Sequence, residues 1–212
     1  MIRVARIADG PELASIFDPF VERSAVALEE QAPTAAEMAH VIGRMGSIYP
    51  FLVCEEEGEI LGFARAAPIR ESPPFRWSVE DSVYLREGAR GRGLGGELLE
   101  ALLDLLRELG YLRVFVSITL PNPRCIALHE RMGFSELCSV RGAAYKLGTW
   151  HDLLWMSSPL REAASSRMGG RPLEPIAFAK FAQANPALLE AILGGDRRNP
   201  AGKTTSSRTP SR

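Results

Sequence analysis

Arg90-Gly91-Arg92-Gly93-Leu94-Gly95-Gly96 stands between a short apolar run, Ser82-Val83-Tyr84-Leu85, and a leucine-rich segment that closes at Gly110. Strand, glycine-rich turn, helix: that order builds an anion site. The first backbone N–H groups of a helix have no partner within it, and the helix dipole concentrates positive charge there. Glycines remove the Cβ atoms that would hold a phosphate away, so successive amides can converge on it. Arg90 and Arg92 add charge-assisted donors suited to phosphate oxygens. The stretch reads as a cradle for a diphosphate, with Gly91, Gly93, Leu94, Gly95 and Gly96 supplying the backbone. The rival at this point is a glycine-rich surface turn ahead of an ordinary helix.

Outward from this stretch the chain alternates strands and helices. Leu94, Leu98, Leu99, Leu102, Leu106 and Leu109 share one face of the central helix. Val114 to Thr119 is a β-rich run expected to pair in parallel with the strand before the helix. Pro121-Asn122-Pro123 breaks it, and a further helix runs from Arg124 to Met132 and stops at Gly133. Ser135 to Val140, Ala143 to Leu147 and Asp152 to Met156 read as closing antiparallel strands. On the N-terminal side, Ile2-Arg3-Val4-Ala5-Arg6 alternates like an edge strand. Asp9-Gly10-Pro11 opens a helix through about Arg23, with Leu13, Ile16, Phe17, Phe20 and Val21 on one face. Thr34 with Glu37 forms a capping box for the next helix, which ends near Tyr49-Pro50. Phe51-Leu52-Val53-Cys54 and Ile60-Leu61-Gly62-Phe63-Ala64 flank Glu57-Gly58, a hairpin signal. Pro68 to Trp77 is a proline-containing loop, and Ser78 to Leu85 resumes as a strand.

At 212 residues the chain suits one domain with an appendage, and its 46% hydrophobic content is enough for a real core. The formal charge of −1 argues against nucleic acid or an acidic membrane as partner, since either calls for a basic excess. No long uncharged apolar run exists, so no membrane span is expected. Met1 to Arg6 lacks the apolar core of a signal peptide. Cys54, Cys125 and Cys138 have neither disulfide nor metal-site spacing, which points to reduced thiols in the cytoplasm and no metal. The expected division is a domain over 1–160, a linker and helical extension over 161–193, and a disordered tail over 194–212. In the extension, Ile176, Phe178, Phe181, Leu188, Leu189 and Ile192 recur at near-helical spacing, as if to pack on the domain or, alternatively, on a partner in trans.

Gly91, Gly93 and Gly96 also satisfy the dinucleotide fingerprint. That motif needs an acidic residue about twenty positions on, and Val114-Phe115-Val116-Ser117-Ile118-Thr119 offers none. A nucleoside-triphosphate loop fails because no Gly-Lys-Ser/Thr follows. What fits is the GNAT superfamily of acyl-CoA N-acyltransferases. Arg90 to Gly95 resembles its pyrophosphate signature, Arg/Gln-x-x-Gly-x-Gly/Ala. Asn122-Pro123-Arg124-Cys125-Ile126-Ala127-Leu128-His129-Glu130-Arg131-Met132-Gly133-Phe134 is similar to its second hallmark, an asparagine, a helix, then Gly-Phe. Trp77-Ser78-Val79-Glu80-Asp81-Ser82-Val83-Tyr84, Leu128-His129-Glu130 and Tyr145-Lys146-Leu147-Gly148-Thr149-Trp150-His151-Asp152 narrow the resemblance to the phosphinothricin, or methionine sulfone/sulfoximine, acetyltransferase branch. It covers roughly Ile2 to Leu160.

The resemblance implies an α/β (α+β) GNAT fold. A mixed central sheet would be splayed between two parallel strands and flanked by helices, with an extra C-terminal helical tail. It implies acetyl-CoA as cofactor and a small amine, such as an amino acid or analogue, as acceptor. Deprotonating an α-amine of pKa about 8 at neutral pH costs only about 1.4 kcal/mol, so a carboxylate can serve as base. Glu80 matches the catalytic glutamate, and its rival reading is a solvated strand carboxylate. His129 matches the branch histidine, as acid or as part of the base; otherwise it is a partly exposed helical polar residue. Asn122 would touch the pantetheine arm or order its water, and backbone N–H groups around Leu85 would polarise the carbonyl. Ser82 and Tyr84 would line the acceptor pocket. The loop from Pro68 to Arg76 departs from the branch: an arginine expected near Ser72 is missing and an expected tyrosine is Phe75, leaving Arg70 or Arg76 to bind the substrate. Ala27-Leu28-Glu29 replaces a more usual Asn-Phe-Arg. The alternatives are a protein N-terminal or lysine acetyltransferase and a catalytically degenerate CoA-binding module. A homodimer is left open.

Overall fold

The computed structural model describes residues 1–161, 167–168 and 171–194. Strand β1 (Ile2–Val4) leads through a 3-10 turn to helices α1 (Gly10–Glu22) and α2 (Ala35–Met45). Strands β2 (Phe51–Glu56), β3 (Glu59–Pro68) and β4 (Ser78–Leu85) follow, then α3 (Leu94–Leu109), β5 (Arg113–Thr119) and α4 (Pro123–Arg131). The long hairpin β6 (Ser135–Lys146) and β7 (Thr149–Pro159) closes the sheet. Beyond it lie a two-residue pair, β8 (Arg167–Met168) with β9 (Arg171–Pro172), and helices α5 (Phe178–Ala184) and α6 (Pro186–Gly194).

The sheet order is β1-β2-β3-β4-β5-β7-β6. All neighbours are antiparallel except β4 and β5, which are parallel as the strand–helix–strand order requires. Their pairing has only three rungs: Ser78 with Arg113, Val79 with Val114 and Glu80 with Phe115. Past Glu80 the two strands part, β4 staying with β3 and β5 with β7. This parting positions the site.

Alternation along the strands builds two cores. Phe51, Val53, Ile60 and Phe63 face α1 and α2, where Leu13, Ile16, Phe17 and Ile42 bury themselves. Leu52, Cys54, Ala64, Val79, Val114, Val116 and Ile118 belong to the other core, filled by α3. Its leucines 98, 99, 102, 106 and 109 are fully buried, each worth about 1.5–3 kcal/mol of apolar burial. Ala101, Leu103 and Leu105 lie off the predicted face and are buried as well, so α3 is covered on more than one side. Helix α6 packs against it, and Phe178, Phe181 and Ile192 join the same core. The extension therefore packs on its own domain.

The capping box at Thr34 forms as read: its Oγ1 accepts from the Glu37 amide at 3.2 Å, and the Glu37 carboxylate accepts from the Thr34 amide at 2.8 Å. Glu57 and Gly58 turn the β2–β3 hairpin with φ of 49° and 85°. Three expectations are corrected. The break read near Gly142 is a register irregularity inside one continuous β6, with the Gly142 amide donating to Asp152 at 2.8 Å. The C-terminal helical spacing resolves into two helices, because Pro186 cannot continue the first and opens the second. The helix expected to reach Tyr49-Pro50 stops at Met45. The linker at 162–166 and 169–170 and the tail beyond 194 lie outside the described residues.

Candidate active site

Glu80 occupies the last rung before β4 and β5 separate. Its side chain is half-buried, and the Ser117 hydroxyl on β5 donates to its carboxylate at 2.6 Å. Asp81, the next residue, points to the opposite face and is buried. There it meets His129 of α4, whose Nε2 lies 3.1 Å from Asp81 Oδ2. The other ring nitrogen, Nδ1, lies 2.8 Å from the carbonyl oxygen of Cys125, one helical turn back. A carbonyl only accepts, so Nδ1 carries a proton, and a carboxylate at Nε2 favours a second. Burial opposes that charge, but the Asp81 hydrogen bond and the Cys125 contacts prevail and carry the His129 pKa to about 10. His129 is 2% exposed; the partly exposed alternative does not describe it.

Cys125 Sγ lies 3.6 Å from His129 Nδ1, so the thiol does have an imidazole neighbour, which i,i+4 spacing on a helix allows. The nitrogen that faces it is protonated and donates to a carbonyl, so the pair lacks a free base. Asp81 and Ser117 were missed in the sequence. The signal for Asp81 was a carboxylate in phase with the apolar residues Val79 and Val83.

At the mouth of the parting, Gly91 and Gly93 hold φ of 81° and 89°, the left-handed region that favours glycine. A Cβ at either would meet nothing within 4 Å, so the turn is open outward. Gly93 caps α3, and the amides of Gly96 and Glu97 return to its carbonyl. Those of Leu94 and Gly95 have no acceptor among the described residues. Arg90 lies with its guanidinium 5.0 Å from the Phe20 ring centroid, whereas Arg92 pairs with Glu56 at 2.6 Å. An exposed pair of this kind is worth little and exchanges readily for a doubly charged ligand. Asn122 is the N-cap of α4, its Oδ1 accepting from the Cys125 amide at 3.2 Å, so one end of its side chain is already used. Leu85 pairs with Gly62 at the end of β4.

Ser82 and Tyr84 share the face of Glu80. Tyr84 packs edge-on against Phe17 and Phe20, with ring centroids 4.8 and 5.0 Å away. Burial pushes its phenol well above the ordinary range, with Glu29 adding to the effect and Arg65 opposing it. In the preceding loop, Arg76 is committed to Glu174 at 3.0 Å and lies over Trp77. Arg70 sits 5.5 Å from the centroid of Phe75, and both are exposed. The structure thus brings Glu80, Ser82 and Tyr84 together on one face, places His129 on the other, and ties Arg76 to the C-terminal extension.

The sheet thus parts between two parallel strands, with a carboxylate at the fork and a glycine-rich turn leading into α3. Residues 17–134 match the Acetyltransferase (GNAT) family. The chain is 34% identical over 152 residues, 72% of its length and 83% of the relative's, to phosphinothricin N-acetyltransferase of Streptomyces viridochromogenes. It is 35% identical over 167 residues, covering 78% and 97%, to the L-methionine sulfoximine/L-methionine sulfone acetyltransferase of Pseudomonas paraeruginosa. A GNAT superfamily phosphinothricin acetyltransferase from Sinorhizobium meliloti, solved in complex with acetyl-CoA, superposes with a TM-score of 0.77 at 31% identity over 84% of this chain and 97% of that one. The chain belongs to the GNAT family and is an N-acetyltransferase that uses acetyl-CoA. The open left-handed glycines and the unclaimed Leu94 and Gly95 amides fit the diphosphate of that cofactor.

Proposed function

We propose that the protein acetylates the amine of an amino acid or a close analogue by direct transfer from acetyl-CoA, with Glu80 as general base. The observation that carries this reading is the place of Glu80, a half-buried carboxylate steadied by Ser117 at the rung where the sheet divides. Acetyl-CoA supplies an activated acetyl thioester. The amides of the Gly91–Gly96 turn and Arg90 would hold its diphosphate, with Arg92 joining on release from Glu56, and the free Nδ2 of Asn122 would meet the pantetheine arm. Backbone N–H groups around Leu85 would polarise the acetyl carbonyl. Glu80 takes a proton from the acceptor ammonium. His129, doubly protonated with its ring nitrogens engaged by Asp81 and the Cys125 carbonyl, does not suit a base. Ser82 and Tyr84 would line the acceptor pocket with Phe75 and Arg70 at its rim; the commitment of Arg76 to Glu174 argues against its serving there.

Phosphinothricin itself fits this chain poorly. The arginine that the family resemblance implies near Ser72 is absent, and Glu29 stands where that resemblance implies a basic residue. Thiol release measured across a panel of amino acids, methionine sulfone, phosphinothricin and short peptides tests the reading. Amino acid turnover above hydrolysis supports it. Preference for peptides would assign a protein acceptor, and tight coenzyme binding without any turnover would leave a degenerate CoA-binding module.

The three free cysteines and the need for acetyl-CoA support a cytoplasmic location. A homodimer through the β6–β7 hairpin belongs to the same proposal, since Leu137, Val140, Tyr145, Leu147 and Trp150 are all exposed there. A monomeric mass by light scattering at micromolar concentration would refute it.

A further inference from the structure

Arg65 interrupts β3, whose neighbouring residues from Ile60 to Ala67 are otherwise apolar or glycine. It pairs across the sheet with Phe51 on one side and Ser82 on the other. Cross-strand partners project to the same face, so Arg65 stands with Ser82, and hence with Glu80 and Tyr84, on the acceptor side. Its closeness to Tyr84 is felt in the phenol. The side chain is half-buried, and its Nε is enclosed without any hydrogen-bond partner.

Three other arginines around the site have carboxylate partners. Arg76 is held by Glu174, Arg92 by Glu56, and Arg86 by the Ile60 carbonyl with Glu59 and Glu12 nearby. Arg65 has no ion pair among the described residues. A buried donor left unmade costs about 1–3 kcal/mol, and native proteins keep such donors mainly where something else completes them. A guanidinium is completed best by a carboxylate, which it can meet with two parallel hydrogen bonds.

We propose that Arg65 binds the carboxylate of the acceptor, so that the substrate is an α-amino acid held by its acid group while its amine is turned to Glu80. The spacing suits this. Arg65 lies directly opposite Ser82, which makes Glu80 its diagonal neighbour, with backbones about 7–8 Å apart. Two side chains reaching toward each other over that distance leave room for one carbon bearing both groups. The charge of Glu29, which reaches the Tyr84 phenol, weighs against acceptors with a second negative charge. This inference rests on the proposed acetylation of an amino acid.

The test compares each L-amino acid with its carboxamide, in the wild-type full chain and in Arg65→Met, by thiol release. The different amine pKa values of acid and amide cancel when the acid-over-amide preference is compared between the two proteins. That preference should fall about 10- to 100-fold in Arg65→Met, mainly through KM of the acid. Arg65→Lys, which keeps the charge but not the fork, should fall between. Acetyl-CoA binding by the variants reports that they are folded. An unchanged preference in a folded variant overturns the assignment while leaving the acetyltransferase reading intact. If the wild type turns over neither acids nor amides, the proposed function fails instead. Calorimetric titration with L-methionine sulfone then decides for Arg65: binding weakened at least 10-fold in Arg65→Met supports it, and equal binding or none to the wild type overturns it.

Discussion

Glu80 and Asp81 are consecutive carboxylates on one strand, and the pleat gives them opposite surroundings. Glu80 keeps access to the acceptor face with one hydroxyl partner, while Asp81 is enclosed against His129. Replacing Glu80 by Gln should lower kcat by about 10²–10⁴-fold with acetyl-CoA binding nearly unchanged. The loss should be largest at low pH, where free amine is scarce, as a pH–rate profile would show. For His129 the sign runs the other way from an acid's. Its folded pKa is raised from 6.5 to about 10, so the stability it adds is complete below the unfolded value and disappears as pH rises through the folded one. Denaturant midpoints should therefore drop between pH 7 and 10 in the wild type by more than in Asp81→Asn, and equal slopes would refute the pairing. Glu80 and His129 could be singled out as candidates because they sit in recognisable motifs. The Asp81–His129 contact was not, since 48 residues separate the two and only the packing of α4 on the sheet brings them together. Arg65 was illegible for the same reason: its meaning lies in strand register, which a single sequence does not display.

Whole elements were easier to read than pairs. The central helix, the capping box at Thr34 and the hairpin at Glu57-Gly58 all follow from local rules, since each is specified by residues within a turn or two. The rules failed where an element depends on distant partners. Gly142 looks like a strand end, yet β7 holds both sides of the irregularity and β6 continues. At the start of α3 the consequence for the coenzyme is direct. Gly93→Val should cost about 1–2 kcal/mol for placing a side-chain-bearing residue in the left-handed region, and should weaken acetyl-CoA binding by titration more than it alters turnover at saturating coenzyme. The space around Gly93 is empty in the folded chain, so the strain is conformational and any steric effect falls on the ligand.

At the scale of the molecule the C-terminal extension belongs to the core. Phe181 is 4% exposed and shares a cluster with the leucines of α3. Phe181→Ala should destabilise the protein by about 3–5 kcal/mol, read as a shift in the chemical denaturation midpoint. Removal of everything after Leu160 should cost more, and loss of neither stability nor solubility would contradict the packing. The extension also reaches the segment between β3 and β4, through the Trp77 Nε1 donor to the Leu173 carbonyl at 2.7 Å and the Arg76–Glu174 pair.

Among the described residues β4 and β5 share three rungs, and two side-chain contacts, Glu80 to Ser117 and Asp81 to His129, lie beside them. Each half keeps its own full antiparallel ladder. Damage at the divide can thus spoil the alignment of the reacting groups while both halves stay folded. Variants of Glu80 or Ser117 should look healthy to a melting curve and fail in an assay, so activity will be a far more sensitive gauge of that bridge than heat.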